Sequence, residues 1–179
     1  GTDAIAFSSG MAAVDAVFHL FSPGDHVILG DDLYGGSIRL FTNIYEKNGV
    51  EFTYVGTSDL DAVKAAFKPN TKAVYIETPT NPMMEITDIR ALCALAHERN
   101  ALVIIDNTFL SPYFQKPLTL GADIVVHSGT KFIGGHHDVI SGFTIVKDDE
   151  LAAKLRLTYK TVGACLSAMD SWLVIRGVK

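Results

Sequence analysis

Two cysteines in 179 residues, Cys93 and Cys165, are too few and too isolated to form a disulfide framework or a zinc-ligand cluster. Cys93 falls in an apolar helical pattern and is expected to be packed rather than reactive. A reducing, cytoplasmic setting is the corresponding expectation. No apolar run approaches the roughly 20 residues needed to cross a bilayer. No stretch is rich enough in Lys and Arg to make a nucleic-acid-binding stripe, and the formal charge is a mild -5. The opening Gly1–Phe7 lacks the basic start and apolar centre of a secretory signal. What remains, at 48% hydrophobic and 20% charged, is a chain able to bury one real core, with neither nucleic acid nor membrane as an expected partner.

The pattern along the chain alternates. Short β-branched runs at Ala4–Phe7, Val27–Leu29, Glu51–Val55, Ala73–Ile76, Leu102–Ile105, Ala122–Val126 and Val139–Val146 read as strands. Between and after them, helical spacing is predicted over Met11–Phe21, Ile38–Tyr45, Leu60–Phe67 with Asp59 as cap, Thr87 (cap) to Asn100, Asp149–Val162 and Ser167–Val178. Asn48-Gly49 is a helix stop. Strands alternating with helices predict an α/β fold with a mostly parallel sheet covered on both faces.

The polar residues fall just after these strands. Tyr34, Glu77, Asn81, Asp106, Ser128, Thr130 and Lys131 all do so, and the strand ends of a parallel sheet share one edge, so such residues can converge. A lysine held there can form a Schiff base with a carbonyl cofactor, and the Ser128 and Thr130 hydroxyls suit a phosphate. Ser8-Ser9-Gly10-Met11 opens a helix, so it is either an N-cap built for tight packing or a set of free N–H groups for an anion. Asp106 follows an apolar run and needs a partner, either a cationic ring nitrogen or the loop at Asn107-Thr108. Tyr34 either stacks on an aromatic cofactor or packs in a loop. Asn81 lies between two prolines that stiffen its turn.

Two rival chemistries have less support. His127, His136, His137, Asp138 and Asp106 offer metal-binding side chains, but adjacent histidines are poorly spaced and no His-x-x-x-His pair reinforces them, so no metal site is assigned. The Gly-x-Ser-x-Gly elbow of a serine hydrolase is absent.

In order and spacing, Phe7-Ser-Ser-Gly-Met-Ala-Ala13, Asp32-Leu-Tyr-Gly-Gly36, Glu77-Thr-Pro-Thr-Asn-Pro82, Asp106-Asn-Thr-Phe109 and His127-Ser-Gly-Thr-Lys-Phe-Ile-Gly-Gly-His136 resemble the Cys/Met-metabolism family of pyridoxal-phosphate enzymes, along the whole length of the chain. Its members include cystathionine γ-synthase, cystathionine γ-lyase, cystathionine β-lyase and methionine γ-lyase. The resemblance implies the large domain of PLP-dependent transferase fold type I, aspartate-aminotransferase-like, with a seven-stranded-type, mostly parallel sheet flanked by helices. It implies pyridoxal 5'-phosphate as cofactor and Lys131 as its Schiff-base lysine and proton shuttle, with burial and cationic surroundings lowering the lysine's pKa. Asp106 then pairs with the pyridine nitrogen and Tyr34 stacks on the ring. Gly10 and Met11 offer N–H groups to the phosphate, with Ser128 and Thr130 adding hydroxyls. Asn81 faces the phenolic oxygen, and Glu77 belongs to the same wall. The implied reaction is γ-replacement or γ-elimination on a sulfur amino acid in transsulfuration, of the cystathionine γ-synthase or γ-lyase type. Implied substrates are cystathionine, an O-acyl-homoserine, cysteine or homocysteine, and the implied assembly is a homotetramer, a dimer of dimers.

The chain departs from the family pattern in three places. The upstream Tyr and Arg that reach a neighbouring subunit's phosphate are missing, and so is the small C-terminal domain with its carboxylate-binding arginine. Residues 1–179 are therefore expected to be a fragment, the PLP-binding large domain alone. Gly35-Gly36 stands where methionine γ-lyases typically carry a cysteine shortly after the stacking tyrosine, which favours the cystathionine enzymes. A β-lyase, a methionine γ-lyase or an O-acetylhomoserine sulfhydrylase is the alternative within the family; a metal-dependent hydrolase or a non-catalytic fold relative is the alternative outside it.

Overall fold

A computed structural model describes all 179 residues. It contains seven strands, β1 (Asp3–Phe7), β2 (His26–Gly30), β3 (Glu51–Val55), β4 (Thr71–Glu77), β5 (Leu102–Asp106), β6 (Ile124–Ser128) and β7 (Gly142–Val146), and eight helices. The helices are α1 (Gly10–Phe18), α2 (Gly35–Leu40), α3 (Leu60–Ala66), α4 (Ile89–His97), α5 (Ser111–Phe114), α6 (Pro117–Leu120), α7 (Asp149–Val162) and α8 (Ala168–Val178). The strands form one sheet in the order β1-β7-β6-β5-β4-β2-β3. The expected α/β architecture, a mostly parallel seven-stranded sheet flanked by helices, is the one found. Two compact units divide the chain.

The unit of residues 21–106 and 119–123 holds the parallel part, in which β3 pairs with β2, β2 with β4 and β4 with β5. Val27–Leu29, Ala73–Ile76 and Val103–Ile105 are fully buried, as continuous apolar strands of a two-sided sheet should be. Helix α4 lays Leu92, Cys93 and Ala96 inward. Gly121 leaves room for Cys93, since a Cβ there would lie 2.9 Å from the cysteine's own. Thr87 does not cap α4. Its main-chain N–H goes to Thr78 and its hydroxyl to Thr57, so Asp88 takes the cap and accepts from Ala91. The stripe predicted through Tyr45 also changes. α2 ends at Leu40 and a π-helical turn spans Phe41–Tyr45, which turns Phe41 and Tyr45 inward and leaves Ile44 about half exposed.

The unit of residues 1–20, 107–118 and 124–179 is antiparallel, with β7 between β1 and β6. α1 buries Ala13, Val14, Ala16, Val17 and Phe18 and packs on β6 and β7. Strand β6 lies two residues later than the apolar run suggests. Pairing with Phe143 and Gly142 keeps His127 and Ser128 in the ladder. β7 starts late because the main chain of Ser141 is occupied by Thr130. α8 passes so close to the loop after β6 that a Cβ on Gly177 would collide with the Gly134 carbonyl oxygen. The short helices α5 and α6 carry no periodicity long enough to predict.

His127 is buried at 3% exposure and its Nδ1 has no partner. Burial pushes its pKa down to about 4, against the opposing effect of a main-chain hydrogen bond with Asn107. A histidine whose folded pKa is depressed contributes stability that is present above its unfolded value of 6.5 and lost as pH falls toward 4. Guanidinium unfolding of the full-length protein should lose roughly 3 kcal/mol from this group across that window, and His127→Asn should flatten that part of the curve. An unchanged pH profile in the variant would show that His127 does not control it.

Candidate active site

In the antiparallel unit, the start of α1 is closed down on the end of β6. A Cβ on Gly10 would lie 2.8 Å from the Ser128 Cβ, and one on Gly142 would collide with the Ser9 carbonyl. Only small residues allow this approach of two backbones. Ser9 caps the helix, its Oγ accepting from Ala12 N–H at 3.0 Å, and its carbonyl accepts from Ala13 N–H at 3.1 Å. Gly10 and Met11 N–H groups precede the first intrahelical bond and point out of the helix start. The Ser8-Ser9-Gly10 turn is thus an N-cap, and the Gly10 and Met11 N–H groups lie beside the Ser128 side chain. This is a cradle of the right chemistry for a phosphate, in keeping with the positive end of a helix dipole.

The loop that follows β6 is shaped by hydrogen bonds. Thr130 Oγ1 donates to Ser141 O at 3.2 Å and accepts from Ser141 N–H at 3.1 Å. Lys131 N–H reaches Ser128 O at 3.3 Å, and Gly134 and Gly135 N–H groups return to Gly129 O and Lys131 O. Lys131 itself is exposed, so the burial expected of it is not provided by this chain. Thr108 Oγ1 accepts from Ser128 N–H at 2.9 Å, while Asn107 is clamped by Ser111 and Gln115.

The parallel unit assembles a second group. Register pairs Glu77 with Asp106 and Tyr75 with Ile104 across β4 and β5, so Tyr75, Glu77 and Asp106 share one sheet face at its carboxyl edge. Glu77 is 4% exposed. Burial first, and then the Asp106 charge, push its pKa up to about 8, against the pull of the Tyr34 N–H that it accepts at 3.0 Å. The nearby Asp32 charge pushes the same way as Asp106. At neutral pH Glu77 is thus protonated and Tyr34 is tethered to it by its main chain. The Tyr34 ring, 48% exposed, lies over Gly36, where any Cβ would strike it. Gly36 is what lets the ring lie there.

Asn81 is half-buried in a loop tied down by Thr80 N–H to Glu85 O and by Met83 N–H to Asp32. Two residues that the sequence did not single out belong to this group. Tyr75 hydroxyl donates to Asp106 Oδ2 at 3.4 Å, and Ser37, buried at the start of α2, hydrogen-bonds the Tyr75 hydroxyl. The strand period of two, which puts Tyr75 on the face of Glu77, was the available signal.

The histidines do not form a rival centre. His136 Nδ1 bonds Gly134 O, Asp138 pairs with Arg176, and no group of three or more His, Cys, Asp or Glu is placed to hold a metal.

Comparison with known proteins agrees with the motif order. The family model for Cys/Met metabolism PLP-dependent enzymes matches residues 1–179. Cystathionine gamma-lyase of Bacillus subtilis (strain 168) is 51% identical over 179 residues, all of this chain and 47% of that protein. Cystathionine beta-lyase of Lactococcus lactis subsp. cremoris (strain MG1363) is 49% identical over the same span, again 47% of its length. The crystal structure of cystathionine gamma-lyase from Lactobacillus plantarum complexed with L-serine superposes with a TM-score of 0.98 at 50% identity, covering 99% of this chain and 47% of that one. The chain spans about half the length of the relatives it matches.

Glu77 gives this geometry a direct check. Its folded pKa is raised, so the stability it contributes is present below its unfolded value of 4.5 and is lost as pH rises through about 8. In the cofactor-free full-length protein, Glu77→Gln should therefore gain stability relative to the parent between pH 4.5 and 8 in denaturant unfolding. Parallel curves across that range would mean that Glu77 is ionised throughout.

Proposed function

The chain belongs to the family of Cys/Met metabolism PLP-dependent enzymes, and on that premise we propose that it is the cofactor-binding large domain of a cystathionine γ-synthase or γ-lyase type enzyme acting on sulfur amino acids. The observation that carries this reading is the approach of Gly10 to Ser128. It seats a helix start directly against the Ser128 side chain at the end of β6, three residues before Lys131.

In this proposal Gly10 and Met11 N–H groups, with the Ser128 hydroxyl, hold the phosphate of pyridoxal 5'-phosphate. Thr130, whose hydroxyl is engaged by Ser141, joins them by exchanging that bond. Lys131 holds the cofactor's aldehyde. Asp106 would pair with the ring nitrogen, Tyr34 would cover the ring face and Asn81 would donate to the phenolic oxygen, while Glu77 fixes the Tyr34 main chain. When bound, the cofactor supplies an electron sink that makes proton loss beside the substrate amino group favourable. The amine of Lys131 would be the group placed to take the proton from the substrate's Cα and to return a proton farther along the substrate chain. A sulfur- or oxygen-linked group at Cγ or Cβ then leaves or is replaced.

The same proposal covers the whole enzyme: a cytoplasmic homotetramer whose dimers complete each other's sites. Exposed aromatic side chains such as Tyr113, Phe114, Phe132 and Trp172 are apolar surface that such an assembly would cover. A cystathionine β-lyase is the second reading, because a relative of nearly equal identity carries that name.

The test is a visible spectrum of the full-length protein with pyridoxal 5'-phosphate. A yellow band that borohydride fixes and that Lys131→Ala removes is expected. Cystathionine should then release cysteine and a keto acid from a γ-lyase, or homocysteine and pyruvate from a β-lyase. A γ-synthase should instead form cystathionine from an O-acyl-homoserine and cysteine. A band indifferent to Lys131 would sink the assignment.

A further inference from the structure

Asp106 lies at the edge of the parallel unit with one acid beside it and one hydroxyl below it. In register across the strand is Glu77, and two residues earlier on the same face of β4 is Tyr75, fully buried and packed edge-on against Phe41 at 5.4 Å between ring centroids. A phenol costs free energy to bury unless its oxygen is used, and this one is used twice. Burial, and then the charges of Asp106 and Glu77, hold the phenol well above its ordinary pKa; Ser37 hydrogen-bonds it from the start of α2 with the smaller, opposing effect of a donor, and the phenol O–H points to Asp106 Oδ2. The result is a directed chain from Ser37 through Tyr75 to Asp106. Ser37 is three residues after Tyr34, in the segment whose main chain is tethered to Glu77. The loop carrying Tyr34 and the strand end carrying Asp106 are therefore braced together twice, once through Glu77 and once through Tyr75.

We propose that Tyr75 is a positioning residue for the cofactor, its buried hydroxyl, oriented by Ser37, holding the Asp106 carboxylate for a cationic ring nitrogen. This rests on the reading of Asp106 given under the proposed function. At 3.4 Å the bond to Asp106 is long, and such contacts tighten when a charged partner fixes the acceptor. The ring supplies packing against Phe41 and the hydroxyl supplies orientation, so the two roles separate in Tyr75→Phe, which keeps the first and removes the second.

The experiment measures the dissociation constant of pyridoxal 5'-phosphate from the full-length enzyme, by dialysis and by the visible band, in four proteins: parent, Tyr75→Phe, Asp106→Asn and the double variant. Tyr75→Phe should weaken binding about tenfold, the loss expected when one hydrogen bond to a charged group is removed. In the Asp106→Asn background the same change should have little further effect, because the hydroxyl acts through that carboxylate. Ser37→Ala, which removes only the donor into Tyr75, should shift binding the same way by a smaller factor, and it serves as the single variant if Tyr75→Phe does not fold. Binding as tight as the parent's, or an equal loss in the Asp106→Asn background, would overturn the role of Tyr75 and leave the cofactor assignment standing. A parent that binds no pyridoxal 5'-phosphate would overturn that assignment and this role with it.

Discussion

Parallel pairing of β4 with β5 sets Glu77 beside Asp106 on one face of the sheet, and much of the parallel unit's edge answers that constraint. Two carboxylates cannot both be charged at such range in a buried setting without a large cost. One of them keeps its proton. Glu77, the more enclosed of the two, does so, even though the Tyr34 N–H that it accepts pulls the other way. The other, Asp106, receives the Tyr75 hydroxyl. The division of labour comes from position alone: the same two residue types are told apart by burial and by which donor reaches them.

The antiparallel unit solves a different problem, the approach of main chain to main chain. Gly10 against Ser128 and Gly142 against Ser9 bring a helix start onto a strand end with nothing between them. Ser9 satisfies Ala12, and the next donors are left facing outward. A site of this kind is made by residues that contribute almost no side chain, so it depends on backbone placement and on the exclusion of bulk.

Most of the architecture was legible because the strands are runs of Val, Ile and Leu with little else in them, and because the helix cap Asp59 falls where a short polar residue precedes an apolar stripe. What was not legible depends on partners distant in sequence. Thr87 has the chemistry of a cap but is claimed by Thr57 and Thr78, so Asp88 caps instead. Ser128 reads as loop and is held in the ladder by Gly142. Ile44 sits in a helical stripe and is turned outward by a π-turn that no local pattern announces. Among site residues, those in glycine-rich or proline-rich motifs were visible by their punctuation. Tyr75 was hidden inside an apolar strand, where an aromatic residue reads as packing, and its hydroxyl acquires meaning only once Asp106 and Ser37 are seen around it.

A Cβ on Gly177 of α8 would strike the main-chain carbonyl oxygens of Ile133 and Gly134 in the loop after β6. Contacts between side chains can be worn down or rebuilt one methyl group at a time, and so they drift. A contact with no side chains has no intermediate sizes to pass through. Position 177 is glycine or it is a collision, and no side-chain change in the loop can relieve it, since what a Cβ there would strike is main chain. Over long divergence, that crossing of helix and loop should behave as a fixed point around which neighbouring packing is free to vary.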